Sequence, residues 1–128
     1  MQRILLVEDS PMIRESLVAV LDASAMDRRV VGTAETEDDA FQMIERNNAD
    51  VAIIDINLRQ GSGIGLLARL RDIDAAPRLR IVYTNHYSQR VHEHCARLGA
   101  THVLSKSGDV HELLDVLDQP GAPRQLDD

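Results

Sequence analysis

Ile4-Leu5-Leu6-Val7-Glu8-Asp9-Ser10-Pro11 is an aliphatic run that breaks onto two carboxylates and then onto a helix start. The run shows no polar alternation, as in a strand covered on both faces. Ser10 suits an N-cap, and Pro11 suits the first helical position, where its missing N–H costs nothing. Three later runs repeat the arrangement. Val51-Ala52-Ile53-Ile54 ends on Asp55, Ile81-Val82-Tyr83 ends on Thr84, and His102-Val103-Leu104-Ser105 ends on Lys106. If these runs are parallel strands of one sheet, their polar ends share its carboxyl edge, where open α/β sheets bind ligands. Glu8, Asp9, Asp55, Thr84 and Lys106 then become neighbours. The three carboxylates repel one another and suit a divalent cation, and the lysine suits an incoming phosphoryl group.

Outward from these runs, short aliphatic strands keep alternating with amphipathic helices, the pattern of an α/β fold with a parallel sheet. Gln2 to Val7 reads as the first strand, and Ile13, Leu17, Val20 and Leu21 fall on one face of the helix after it. Arg29 to Thr33 is the second strand. Thr36 with Asp39 resembles a capping box, with Asp where Glu or Gln is usual, and Ala40, Phe41 and Ile44 form the inner face of the second helix. After the third strand, Gln60-Gly61-Ser62-Gly63 is a flexible turn into a helix carrying Leu67, Leu70 and Ile73. It lacks the Lys-Ser/Thr ending of a phosphate-binding loop. Arg80 to Tyr83 is the fourth strand. A helix from about Ser88 to Leu98 closes on Gly99, His102 to Ser105 is the fifth strand, and Val110 to Leu117 is the last helix. Five such units predict a doubly wound, flavodoxin-like parallel sheet of five strands in the order 2-1-3-4-5. Right-handed crossovers put helices on both faces. Residues 1–118 form the domain, and 119–128 read as a disordered tail or linker stub.

A chain of 128 residues fits one domain. Its hydrophobic fraction is 44% with only 2% aromatics, so the core is built from Leu, Ile, Val and Ala. The net charge of −7 argues against nonspecific binding to nucleic acid or anionic lipid, which needs a basic face. A protein partner is compatible with it. The single Cys95 cannot close an internal disulfide, so a reducing, cytoplasmic setting is the simplest reading. Strand-like residues from Gln2 leave no room for a signal segment, and no apolar run reaches the length of a bilayer span. His92 and Cys95 lie three apart on a helix. With His94 off that face and no further ligand evident, they read as a surface histidine and a buried thiol, not a metal site.

Leu6-Val7-Glu8-Asp9-Ser10, Ile53-Ile54-Asp55-Ile56-Asn57-Leu58 with Gly63 downstream, Tyr83-Thr84-Asn85, and Gly99-Ala100 leading to Lys106 together resemble the receiver domain of two-component response regulators (CheY-like). The resemblance covers roughly residues 2–117. It implies a phosphoacceptor switch in which Asp55 takes a phosphoryl group from a sensor histidine kinase or phosphotransfer protein. It implies Mg²⁺ between Asp9, Asp55 and the backbone carbonyl of Asn57, with Glu8 acting directly or through water, as suits a hard ion that prefers oxygen. Lys106 is expected to neutralise charge on the transferring group, and Thr84 to bond a phosphoryl oxygen and move toward it on activation. The implied activity is self-phosphorylation and self-dephosphorylation, not turnover of a separate substrate. The downstream effector is unknown, and a homodimer is left open. No binding to nucleic acid by this chain alone, and no membrane contact, is expected.

The chain departs from the family's pattern in places. The acidic pair is Glu-Asp where Asp-Asp is commoner. Val103 stands where many receivers carry an aromatic readout, leaving backbone shifts or Tyr87 to report activation. Ser107 follows Lys106 where proline is frequent. A cis bond to a non-proline residue costs about 2.5–4 kcal/mol, so this peptide is expected to be trans. Arg59 replaces a frequent proline, and Asn57 and His86 occupy positions that tune phosphoryl lifetime. Two alternatives remain: a pseudo-receiver interaction module working without phosphorylation, and a small phosphatase with an aspartyl intermediate. The phosphatase usually needs a second acid two residues after the nucleophile, where this chain has Asn57.

Overall fold

A computed structural model describes residues 1–74 and 76–119. The element order is β1 (Gln2–Val7), α1 (Pro11–Ser24), β2 (Arg28–Ala34), α2 (Glu37–Asn47), β3 (Val51–Ile54), α3 (Gly63–Leu70), β4 (Leu79–Thr84), α4 (Gln89–Arg97), β5 (His102–Ser105) and α5 (Val110–Leu117). The strands form one parallel sheet in the order β2-β1-β3-β4-β5, as the alternating pattern predicts.

Side chains of a strand alternate between faces, so each central strand feeds two cores. On one face Leu5, Val7, Ala52, Ile54 and Val82 pack with Ala40 and Ile44 of α2, Leu66, Leu67 and Leu70 of α3, and Cys95 of α4. On the other, Ile4, Leu6, Ile53, Ile81 and Tyr83 pack with Leu17 and Leu21 of α1 and Leu113 and Leu117 of α5. This is why Ile4 to Val7 of β1 and all of β3 are unbroken aliphatic runs: neither face meets water there. Each fully buried aliphatic side chain is worth about 1.5–3 kcal/mol.

Helix starts follow the capping residues. Ser10, Thr36, Ser62 and Ser88 each accept a hydrogen bond from a backbone N–H in the first turn of the helix they open. Beyond Leu98 the chain leaves α4 through Gly99 at φ +102°, a conformation that side chains with a Cβ rarely adopt.

Some boundaries differ from the sequence reading. Val20 is 38% exposed, while Val18 packs on the core, so α1 is rotated toward Val18. Ile73 lies past α3, which ends at Leu70 where the backbone tightens into turns back to Arg69 and Leu70. Phe41 is only partly buried, its ring covered by the Arg69 guanidinium at 4.1 Å. There are no cis peptide bonds among the described residues, so the Lys106–Ser107 bond is trans as expected. The expected tail falls, from residue 120 onward, outside the described residues.

Candidate functional site

The sheet's hydrogen-bond ladder runs one residue past three of the strands, and this extension sets the site. Glu8 N–H donates to the Ala34 carbonyl (2.9 Å), Asp55 N–H to the Val7 carbonyl (3.0 Å) and Lys106 N–H to the Thr84 carbonyl (2.9 Å). Each chemistry-bearing residue is thus pinned by its backbone to the neighbouring strand before its loop begins.

The side chains converge. Lys106 Nζ donates to Asp55 Oδ2 at 2.9 Å and also to Glu8 Oε1. The three groups are nearly enclosed, with side-chain exposures of 8% for Lys106, 3% for Glu8 and 10% for Asp55. The other Glu8 oxygen accepts from Ser10 N–H at 3.1 Å, and Asp55 Oδ1 accepts from Asn57 N–H at 3.4 Å. Burial works against the Lys106 ammonium. The hydrogen bonds and charges of Glu8 and Asp55 outweigh it and hold its pKa above the ordinary lysine value.

Asp9 completes the cluster. Carboxylate oxygens of Glu8, Asp9 and Asp55 all lie within 4.8 Å of one another. Asp9 has no hydrogen-bond partner among the described residues. Three carboxylates against one ammonium leave two negative charges uncompensated, and every available donor atom is oxygen. That donor set fits a hard divalent cation. Both oxygens of Glu8 and both of Asp55 are already engaged by the protein, so Asp9 is the freest carboxylate of the three.

The loop after β3 brings the Asn57 backbone to the same rim. Gly63 N–H donates to the Ile56 carbonyl at 2.8 Å, and Asn57 pairs with Ser62 in an isolated bridge. A Cβ on Gly63 would lie 2.2 Å from the Asp55 carbonyl oxygen, so only glycine allows this close approach. Thr84 is fully buried at the same edge. Its hydroxyl accepts from His86 N–H at 3.1 Å and makes no hydrogen bond to Asp55, Glu8 or Lys106.

The sequence reading passed over a second ring of charge. Arg14 Nη1 donates to the Glu8 carbonyl (3.1 Å) and pairs with Glu35 Oε2 (3.0 Å), while Arg59 Nε pairs with Glu35 Oε1 (3.3 Å). Glu35 directly follows β2, so the rule that found Asp55 and Lys106, a polar residue at a strand's carboxyl end, finds it too. Of the residues singled out elsewhere, Cys95 is fully buried, and burial pushes its thiol up. His92 hydrogen-bonds the Tyr87 hydroxyl at 3.1 Å and joins no metal cluster among the described residues.

The fold has counterparts. The response regulator receiver domain model matches residues 4–118, and the chain belongs to that family. Receiver domains are the phosphoacceptor switches of two-component signalling. Among similar proteins is the nitrate/nitrite response regulator NarL of Escherichia coli K12, 29% identical over 119 residues, covering 93% of this chain and 54% of that one. The chain spans about half the length of the first curated relatives it matches. A LuxR-family two-component response regulator from Aurantimonas sp. SI85-9A1 superposes with a TM-score of 0.84 at 26% identity, covering 91% of this chain and 81% of that one. The response regulator domain of Thermotoga maritima CheB gives 0.82 at 26% identity, covering 93% and 95%.

Proposed function

We propose that Asp55 is the phosphoacceptor of this receiver domain, supplied by a phosphohistidine on a sensor histidine kinase or phosphotransfer protein. The observation that carries this reading is the meeting of Asp55 with Lys106 at 2.9 Å inside an acidic cluster that lacks enough positive charge. A carboxylate oxygen of Asp55 would attack phosphorus as the P–N bond to the donor imidazole breaks. The electron pair of that bond leaves on the imidazole nitrogen, the donor ring takes up a proton from solvent, and an acyl phosphate remains on Asp55. Lys106, already fixed on the acceptor, would hold a phosphoryl oxygen as charge develops. Asp9, Asp55 and the Asn57 carbonyl would hold Mg²⁺, with Glu8 acting directly or through water. Bound there, the ion would neutralise charge between the carboxylates and the transferring oxygens.

Thr84 is the residue with furthest to go. Its hydroxyl would exchange the His86 N–H for a phosphoryl oxygen and draw the loop after β4 toward the site. Val103 is buried and too small to swing as a ring does, so the exposed Tyr87 in that same loop is the better reporter of this motion. A donor protein would approach over the apolar groove of about 460 Å³ between α1 and α5. This groove runs up to Lys106 and carries the exposed Met12. A cytoplasmic setting agrees with the lone free thiol at Cys95 and with the absence, among the described residues, of any helix long and apolar enough to cross a membrane.

Incubation with a small phosphodonor and Mg²⁺ tests the reading. One phosphoryl group per chain is expected, read by intact mass and sensitive to hydroxylamine, with none on Asp55→Asn and none when the ion is chelated. Label persisting on the Asn variant would move the acceptor elsewhere. No label on the wild-type protein would favour the pseudo-receiver alternative.

A further inference from the structure

We propose that Glu35, held between Arg14 and Arg59, sets the spacing between the two halves of the metal pocket. It is a positioning residue for phosphoryl transfer. The proposal rests on the reading above, that Asp9 and Asp55 with the Asn57 carbonyl hold a divalent cation. Those ligands come from two loops. Glu8 and Asp9 begin the loop between β1 and α1, whereas Asn57 lies on the loop between β3 and α3. Beyond the ladder bond from Asp55 N–H to the Val7 carbonyl and the side chain of Lys106, the ties between the two loops run through the end of β2.

On one side, Arg14 Nη1 touches both the Glu8 carbonyl at 3.1 Å and Glu35 Oε2 at 3.0 Å. The Glu8 peptide is therefore gripped at its N–H by β2 and at its C=O by a guanidinium that Glu35 orients. On the other side, Arg59 meets Glu35 twice: its backbone N–H donates to the Glu35 carbonyl at 3.3 Å, and Nε forms an ion pair with Oε1 at 3.3 Å. Arg59 stands two residues from Asn57. The same strap continues where Glu37 N–H meets the Gln60 carbonyl and Ser62 N–H meets Glu37 Oε1, both at 3.1 Å. One carboxylate thus carries both loops, using a different oxygen for each. A cation site depends on its ligand atoms being held at fixed separation, and groups that orient ligands commonly govern affinity as strongly as the ligands themselves.

The sign of the charge effects separates positioning from bulk electrostatics. Removing the negative Glu35 weakens cation binding on either account. Removing the positive Arg14 or Arg59 should tighten it if only net charge matters, and should loosen it if the bridge positions the ligands. The test is a Mn²⁺ titration of the full chain without phosphodonor, with free Mn²⁺ read by its EPR signal. Glu35→Gln, Arg14→Gln and Arg59→Gln are compared with Glu45→Gln, an exposed acid on α2. We expect roughly tenfold weaker binding in Glu35→Gln and weaker, not tighter, binding in both arginine variants. Combining Glu35→Gln with Arg14→Gln should add little, because the two changes break one unit. Glu35→Asp should recover part of the loss, and Glu45→Gln should bind as the wild type does. Arg59 is 58% exposed on a surface loop, so its variant keeps the test valid should Arg14→Gln fold poorly. Tighter or unchanged Mn²⁺ binding in the arginine variants overturns the proposal, as does a fall in thermal midpoint with no change in binding. A wild-type chain that binds no Mn²⁺, or binds it equally well as Asp55→Asn, instead overturns the metal reading beneath it.

Discussion

Lys106 shows how much can rest on one side chain. Its ammonium is shared by two carboxylates that are themselves nearly enclosed, so each acid depends on it for a counter-charge. Lys106→Ala would leave Glu8 and Asp55 facing each other with nothing between them. Breaking a buried pair from one side is far more costly than the pair's net worth. We expect a loss of about 3 kcal/mol in urea unfolding at pH 7 without divalent cation, partly restored by Mg²⁺ if the proposed site takes it up in the folded chain alone. An unchanged urea midpoint would show that the ammonium balances nothing. The sign of the pH dependence follows from the raised pKa. Lysine's contribution is complete below its ordinary value of 10.5 and is lost as pH rises through the higher folded-state value. The gap between wild type and variant should therefore hold steady from pH 7 to 9. At this scale the sequence was readable where a polar residue ends an apolar run, which covers Glu8, Asp55, Thr84 and Lys106. It was not readable where two side chains meet from distant loops. The Lys106–Glu8 contact and the Arg14–Glu35–Arg59 bridge depend on register and rotamer, which no local pattern encodes.

Among the elements, the turn from β3 into α3 is the most constrained. Gly63 opens α3 and lies against the peptide of Asp55, the proposed acceptor. A methyl there would meet the Asp55 carbonyl oxygen at 2.2 Å and Ile54 Cγ2 at 2.9 Å, neither of which can move without disturbing β3. Gly65 offers a contrast two residues on, since its added Cβ would meet the end of the flexible Glu37 side chain at 2.4 Å. Gly63→Ala is expected to cost about 3 kcal/mol in urea unfolding and to slow labelling of Asp55. Gly65→Ala should cost less, because Glu37 can rotate aside and alanine favours helix. Equal losses in the two variants would contradict this account. Element identities were legible because both faces of the central strands are covered and four of the five helices begin at Ser or Thr caps. Ends were less so. Ile73 continues the apolar spacing of α3 in sequence, yet the backbone has already turned at Arg71 and Asp72. Spacing alone does not say where a helix stops.

Across the whole molecule, the acid-rich rim has an opposite number at the amino edge of the sheet. There Arg28, 5% exposed, donates from Nε to Gln2 Oε1 (2.7 Å), from Nη1 to Ser24 Oγ (2.8 Å) and from Nη2 to Asp118 Oδ1 (2.6 Å). The guanidinium joins β1, β2, the end of α1 and the residue just past α5. Asp118→Ala would keep the neutral partners and remove the only carboxylate paired with Arg28 among the described residues. We expect a loss of about 1–2 kcal/mol by urea unfolding, with Asp55 labelling unchanged. A fall in labelling larger than the fall in stability would mean that the two edges communicate.

That anchorage has a consequence for signalling geometry. Whatever is joined after α5 departs from the floor of the domain, whereas the phosphoryl group would arrive at its roof. The strands between are up to seven residues long, about 20 Å of chain. A message meant for a C-terminal neighbour must therefore descend the full height of the sheet or travel around its flank, and a message meant for a partner docking beside the pocket need not.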